Sequence, residues 1–430
     1  QKTLKLTAFL MASTLSSMSY GAGFAIIEQS VTGLGRAFSG SAAVAEDAST
    51  IFFNPAGLTY LEHSEVATAL NFINPESDFN NDGSTIASGL GGAALTGTGD
   101  DGGKLGIVPN FYYAHRLNDT MVAGIGINAP FGLVTEYDDD WVGRYHAVKS
   151  DLRVININPS FAFQATEKLS LGIGINLQKI DLELTQMADL GAQATPTPFP
   201  QAADGKVVLE ADDISWGYNL GVMFQATEAT RLALAYRSKV THKLEGEGTL
   251  HSAGGALVSA ENISGGVDLP ETLSFALHHQ INSQWAVMAD ASWTRWSRFQ
   301  ELAIVSDGPL LSSTKQEQWD NNMRYGLGLT YAHNDKWTFR GGIAYDESPV
   351  SDEFRTPRIP DEDRKWVAIG ASYKYSDNLT VDAGYTHIFV SAPSLADESN
   401  LDVPAASYTL SGDYDASVDI LGVQLRWLFL

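Results

Sequence analysis

The sequence predicts an all-β protein, a transmembrane antiparallel β-barrel of about fourteen strands whose lumen is plugged by an N-terminal hatch of short helices. Three observations lead there. The chain opens on an export signal, an apolar pattern of period two recurs along most of its length, and its connections alternate between very short turns and long loops.

The export signal comes first. Lys2 and Lys5 form a basic n-region, Leu6 to Leu15 an apolar h-region, and Ser19 and Gly21 place small residues at −3 and −1 before Ala22. Residues 1–21 therefore read as a signal peptide cleaved after Gly21. The uncharged stretch from Leu6 to Ile27 is too rich in Ser, Thr and Gly for a membrane helix, and its strongly apolar part is too short. Elsewhere no uninterrupted apolar run is long enough to span a bilayer as a helix, so the chain is predicted to be exported to the bacterial outer membrane.

From about residue 105 onward apolar residues alternate with polar or small ones. Leu169, Leu171, Ile173, Ile175 and Leu177 interleave with Ser170, Gly172, Gly174 and Asn176. Ile214, Trp216, Tyr218, Leu220, Val222 and Phe224 do the same, and Leu421, Val423, Leu425, Trp427 and Phe429 close the chain. Period two means a strand with one apolar face. Runs of about ten residues exceed the five or six usual in soluble sandwiches and fit tilted membrane strands. The other face, rich in Gly, Ser, Asn and Gln, suits a lumen. Trp285, Trp293, Trp337, Trp366 and Trp427 sit at segment ends, where a barrel carries its aromatic girdles.

Short polar turns fall at Asn118–Asp119, Glu167–Lys168, Glu228–Thr230, Asn282–Gln284, Asn334–Lys336 and Asp377–Asn378. Long loops lie near 76–104, 135–150, 187–206, 246–265, 306–318, 350–364 and 391–412. Short turns belong on the periplasmic side and long loops outside. Residues 63–430 thus read as the barrel. Residues 22–62 break the pattern, with Gly, Ser, Ala and the cap residues Ser30, Thr32, Asp47 and Ser49, and read as short helices that could fill the lumen.

Composition excludes several functions. With 51 acidic against 27 basic residues the net charge is −24, which repels nucleic acid. The acidic runs Glu136 to Asp140, Asp352–Glu353 and Asp361 to Asp363 read as solvated loop surface, with cation-bridged lipopolysaccharide as the other reading. Without cysteine there is no disulfide or thiol chemistry. Asp78, Asn80, Asp82 and Gly83 open like a calcium loop, but Gly89 stands where the bidentate Glu belongs, so an Asx-rich loop is expected and no metal. Gly326-Leu327-Gly328 lies in a strand with no helix after it, no G-x-S-x-G occurs, and His278 and His279 point to opposite faces. No catalytic residue and no cofactor are expected.

Several segments then resemble a known family. Ala22-Gly23-Phe24, Ser30 to Gly40, Glu46-Asp47-Ala48, Asn54-Pro55-Ala56, Asn128 to Gly132, Trp141 to Tyr145, Asn156 to Ser160, Trp337 to Arg340 and Asp346 to Arg364 resemble, in order, the FadL family of long-chain fatty acid transporters, which has TodX-type aromatic hydrocarbon channels as relatives. The resemblance implies a fourteen-stranded barrel with an N-terminal hatch. Its ligand passes from an outer groove to an inner pocket and leaves sideways where the third strand is kinked. It implies Phe24, with Ile26 and Ile27, at the pocket, and Gly33, Gly35, Arg36, Asn54, Pro55 and Ala56 in the hatch. The kink falls at Ala129, Pro130, Phe131 and Gly132. The residues support the kink independently: Met121 to Val134 reads as the third strand, and Pro130 cannot donate to a ladder.

The expected function is passive, non-enzymatic transport of hydrophobic compounds, foremost long-chain fatty acids. The alternatives are monoaromatic hydrocarbon uptake and, further off, a general porin or adhesin. Expected partners are the hydrophobic ligand, outer-membrane lipid and lipopolysaccharide, with the chain a monomer. By face parity Arg237, Arg324, Arg340 and Arg426 point into the lumen, mainly to pair with acids there. The resemblance implies a basic residue in the fifth strand near Asp181, and none aligns at that position, which leaves the partner of a fatty carboxylate open and leans toward a neutral substrate.

Overall fold

The computed structural model describes residues 22–86, 90–194, 197–398 and 407–429. The predicted signal peptide lies outside them. No described helix is long and apolar enough to cross a membrane. The wall is built from β1 (Ser64–Asn81), β2 (Gly106–Arg116), β3 (Met121–Asn128), β4 (Gly132–Glu136), β5 (Lys149–Thr166), β6 (Leu169–Asp189) and β7 (Asp204–Gln225). It continues through β8 (Thr230–Arg237), β9 (Val240–His251), β10 (Leu257–Leu269), β11 (Thr272–Gln280), β12 (Trp285–Thr294), β13 (Glu301–Ser306) and β14 (Ser313–Gln316). It ends with β15 (Asn322–Ala332), β16 (Trp337–Asp346), β17 (Arg364–Lys374), β18 (Leu379–Val390), β19 (Ser394–Glu398) and β20 (Thr409–Phe429).

Six of the wall strands are each interrupted once, as β3/β4, β8/β9, β10/β11, β12/β13, β14/β15 and β18/β19, so the described residues form a wall of fourteen antiparallel strands. β20 closes it by pairing with β1 from Ser64 opposite Phe429 to Asn81 opposite Gly412. Closure joins the first strand to the last, so the wall has no free end strand facing lipid. Ile214, Trp216, Tyr218 and Leu220 of β7, like Ile173, Ile175 and Leu177 of β6, face outward and exposed as the dyad requires.

The structure corrects several expectations. The stretch 246–265 is mostly strand, because β9 and β10 run on to a turn at 252–256. There Leu244 and Leu250 still face inward, but Glu245 and Glu247 occupy the outer face, above the apolar band, and hide the pattern. β1 starts before residue 105 and contains Asp78 and Asn80, so these two are strand residues and not loop. Trp366 is no girdle residue: it is 1% exposed and points into the lumen against Phe38, its outward neighbours being Lys365 and Val367. Trp285, Trp337 and Trp427 do face outward. Asp361 is not solvated but buried and ion-paired with Arg364.

Inside sit α1 (Val31–Leu34), α2 (Ser41–Val44), α3 (Thr50–Phe53) and a 3-10 turn at Pro55–Tyr60. Helices of one turn have no stability of their own, so the wall must hold them. Small lumen-facing residues make the seat. A Cβ on Gly370 of β17 would stand 2.6 Å from the Gly35 Cα, and one on Gly35 2.7 Å from the Gly370 Cα, so only two glycines allow this approach. Charges fasten the rest. Glu46 accepts from Arg36 and Arg340, Arg426 bonds Asp382 at 2.8 Å, and Asp47 accepts from Thr32 and Gln424, both at 2.8 Å. Arg340 and Arg426 thus pair with lumen acids, and Arg324 faces Asp290 at 3.5 Å.

The docking can be tested in two ways. Gly370→Leu overpacks the seat at a cost of about 1–3 kcal/mol, so the barrel should persist while ion conductance in planar bilayers rises. The second test concerns Glu28, whose side-chain oxygens are buried without a hydrogen-bond partner among the described residues. Burial pushes this carboxyl up to about 7, against the pull of Arg364 and Arg324. The docked hatch therefore favours the protonated acid, and docking weakens as pH rises from the ordinary carboxylate value through 7, by about 3 kcal/mol. Protease protection of the hatch should be stronger at pH 5 than at pH 8.5, and Glu28→Gln should flatten that dependence.

Candidate functional site

The third wall strand breaks between Asn128 and Gly132. β3 and β4 both pair with β5, but among the described residues β4 has no ladder on its other side. Pro130 has no N–H, and a gap in the wall would leave backbone groups unpaired at considerable cost in lipid. The hatch fills it. The Ile26 N–H donates to the Pro130 carbonyl at 2.9 Å, and the Gly132 N–H donates to the Phe24 carbonyl at 3.0 Å. Ala25 lies opposite Phe131 as an antiparallel bridge, and Gln29 Nε2 donates to the Ala129 carbonyl at 2.7 Å. Residues 24–26 thus act as a short strand laid on the break. Gly23 N–H, donating to Asp361 Oδ2 at 2.7 Å, anchors the start of that segment.

Phe24 is 2% exposed and sits in an aromatic cluster. Its ring centre lies 4.7 Å from that of Trp296, 5.6 Å from those of Phe299 and Trp319, and 6.0 Å from that of Phe131. Trp296 and Trp319 are 5.0 Å apart. Such edge-on packing adds about 0.5–1.5 kcal/mol per pair beyond area burial. The strand interruptions at 295–300 and 317–321 turn these rings inward, which no dyad count would reveal.

The cluster is a septum between cavities. Above it an apolar cavity of about 480 Å³ is lined by Phe24, Leu133, Leu152, Leu182, Leu184, Val267, Phe299, Leu302 and Ile359, with Ser150, Glu317 and Arg358 at its polar end. It adjoins an outer cavity of about 640 Å³, which shares Leu184, Leu302, Glu317 and Arg358 and adds His146, Lys315 and Asp397. Below the septum a larger cavity of about 1100 Å³ is lined by Ala25, Ile26, Ile27, Phe38, Phe52, Pro130, Phe131, Trp296, Arg237, Arg324, Asp290 and Asp346, among others. The lower cavity reaches the strand break, and the upper ones reach the outer loops.

The structure brings Phe24, Ile26 and Ile27 together with Ala129 to Gly132. Gly33, Gly35 and Arg36 lie away from the break, in the hatch seat, where Arg36 donates to the carbonyls of Thr32 at 2.8 Å and Ser39 at 3.1 Å. Asn54 Nδ2 donates to the carbonyls of Ala42 at 2.9 Å and Val222 at 3.2 Å, and Ala56 N–H caps back onto Asn54 Oδ1 at 3.0 Å. Pro55 starts the 3-10 turn, next to the short-turn end of β7. Near Asp181 the fifth wall strand turns Ile180 and Leu182 inward, while Asp181 bonds Lys179 at 2.5 Å on the outer face. The missed residues are Trp296, Phe299, Trp319 and Arg358. Arg358 arrives from the connection between β16 and β17, where face parity says nothing.

Comparison with known proteins agrees with this geometry. The family profile described as "Outer membrane protein transport protein (OMPP1/FadL/TodX)" matches residues 12–429. Outer membrane protein P1 of Haemophilus influenzae is 31% identical over 100% of this chain and 99% of that protein. The long-chain fatty acid transport protein of Escherichia coli O6:H1 is 30% identical over 90% of this chain and 92% of its own. Among solved structures, a Pseudomonas aeruginosa FadL homologue superposes with a TM-score of 0.86 at 26% identity, covering 95% of this chain and 100% of that one. The Pseudomonas putida toluene transporter TodX, at 19% identity, shares the fold with a TM-score of 0.69, covering 96% and 99%. A closed barrel, a plugged lumen and a match along nearly the whole chain lead to one conclusion: the chain belongs to the FadL/TodX family of bacterial outer-membrane proteins that transport hydrophobic compounds.

Proposed function

We propose that the chain carries long-chain fatty acids passively across the outer membrane, by a hatch-gated pocket and a lateral exit at Ala129–Gly132. The observation that carries this reading is the shape of the upper site. An apolar cavity ends at the Phe24 septum on one side and, where it adjoins the outer cavity, at Arg358, beside Glu317 and the Asp397 that pairs with Lys315 and His146. Such a space matches an amphiphile with an apolar chain and an anionic head. A monoaromatic hydrocarbon would use neither its length nor its polar end. The family also contains the long-chain fatty acid transport protein compared above.

The gating step rests on the residues of the break. A chain advancing through the upper cavity meets Phe24. Moving Phe24 aside takes its carbonyl from Gly132 and the Ile26 N–H from Pro130, so displacing the septum and uncovering the wall are one event. Two backbone hydrogen bonds contribute about 1–3 kcal/mol net, which ligand binding can offset by population shift. The ligand then passes through the lower cavity and leaves between β2 and β4 into the membrane.

Binding of a labelled long-chain fatty acid in lipid nanodiscs, with toluene as competitor, checks the substrate. Saturable binding that toluene barely displaces is expected; toluene binding without fatty acid binding would move the protein to the aromatic branch. A disulfide made by combining Ala25→Cys with Phe131→Cys checks the gate cleanly, since the chain has no cysteine of its own. The oxidised double variant should still bind fatty acid but not pass it, and reduction should restore uptake; uptake through the oxidised form would overturn the lateral route. Deleting 22–50 should raise conductance, and an unchanged conductance would sink the plug.

A further inference from the structure

We infer that the carboxylate of the ligand is held in turn by two arginines, Arg358 above the aromatic septum and Arg237 below it. This rests on the fatty acid reading above and adds to it a head-group relay.

Four arginines have no carboxylate within ion-pair distance among the described residues: Arg116, Arg231, Arg237 and Arg358. Arg116 donates to the carbonyls of Leu61 and Asp119 at a short turn. Arg231 donates to the last carbonyls of α2 and stacks on Tyr60, with its centre 3.9 Å from the ring. Neither lines a cavity described above. The other two do.

Arg358 stands where the outer and upper cavities meet. Its guanidinium donates only to neutral acceptors: Lys149 O at 3.1 Å, Ser150 Oγ at 3.0 Å, Gln186 Oε1 at 2.8 Å and Thr185 O at 3.5 Å. These bonds fix its plane against β5 and β6 and leave it without an ion pair, Glu317 and Asp397 acting on it only from a distance. Arg237 lines the lower cavity, donates to Asn176 Oδ1 at 2.5 Å and Phe52 O at 2.8 Å, and stacks over the Phe52 ring at 4.3 Å. The two lower carboxylates, Asp290 and Asp346, share that cavity with Arg324, which faces Asp290. A buried cation without a counter-charge is costly, and an arriving carboxylate removes that cost at each station. The septum lies between the stations, so a ligand whose head is released by Arg358 finds the next free guanidinium only after Phe24 has moved. Glu317 lines both upper cavities beside Arg358, and burial pushes its carboxyl up to about 8, so at neutral pH it is protonated and does not take the guanidinium's charge.

The experiment compares oleate with methyl oleate, which has the same chain and no charge, in nanodiscs and in uptake assays. Using the oxidised Ala25→Cys, Phe131→Cys double variant confines ligand above the septum. There Arg358→Gln should lower oleate affinity about tenfold or more and leave methyl oleate within about twofold. Glu317→Gln should leave oleate affinity near the wild-type value at pH 6 and raise it only above pH 8, where the acid ionises. Arg237→Gln should leave oleate binding in the locked protein unchanged, yet in the unlocked protein slow oleate uptake selectively. Because Arg237 also holds Phe52 and Asn176, a purely structural loss would slow both ligands equally, and Arg237→Lys should restore much of the oleate rate. Oleate affinity unaffected by Arg358→Gln overturns the first station. An unchanged ratio of oleate to methyl oleate uptake in Arg237→Gln overturns the second. If wild-type protein binds neither ligand, the fatty acid reading itself fails, which no result confined to the variants can mimic.

Discussion

The structure depends on one requirement, that every backbone N–H and C=O in the wall of a membrane barrel finds a partner within the protein. Along the uninterrupted strands the ladder of the neighbouring strand meets it. At Pro130 the chain cannot meet it, and the missing bonds come from the hatch, through the Phe24 carbonyl and the Ile26 N–H. The hatch is therefore part of the wall at that point and not merely a stopper in the lumen. A proline in an otherwise ordinary membrane strand has made the integrity of the barrel depend on where a separate segment lies.

That dependence runs both ways. The helices of the hatch are single turns that would not persist in water. Glycines such as Gly35 and Gly370 let them press close to the wall, and the charges around Glu46 and Asp47 fasten them. The unpartnered oxygens of Glu28 work against them. A plug held by many close contacts but opposed by a buried acid is firmly seated without being fused. The gating proposed above requires that balance, because a displacement of a few kcal/mol must be within reach of a bound ligand.

The sequence made much of the barrel legible, because lipid and lumen enforce period two wherever a strand has one face toward each. The pattern fails where that rule lapses. Between 246 and 265 the strands rise above the membrane, Glu245 and Glu247 take the outer face, and strand reads as loop. Trp366 looked interfacial because tryptophan favours interfaces, yet its position in β17 points it at Phe38. Asp361 looked solvated because its neighbours are acidic, yet Arg364 takes it inside. In the site, Phe24 and the Pro130 break could be named from the resemblance and from the chemistry of proline. Trp296 and Trp319 could not, since interruptions in the strands, and not their parity, turn them inward.

The cation shows the same limit and explains it. In the fifth wall strand near Asp181 the lumen face carries Ile180, Leu182 and Leu184, which serve an apolar chain and leave no room on that strand for a head-group partner. The barrel lumen gathers side chains by height and not by position in the sequence, so a loop folding inward can deliver what a strand omits. Arg358 does so from beyond β16, and β5 and β6 hold it there through backbone carbonyls and neutral side chains. Keeping its fixing partners neutral is what leaves the charge available. A carboxylate in their place would hold the guanidinium equally well and make it useless to an anion. An apolar trough and an arginine without an ion pair are separately unremarkable. On the fatty acid reading proposed above, their place on the same side of the aromatic septum suits an amphiphile better than a hydrocarbon or an ion alone.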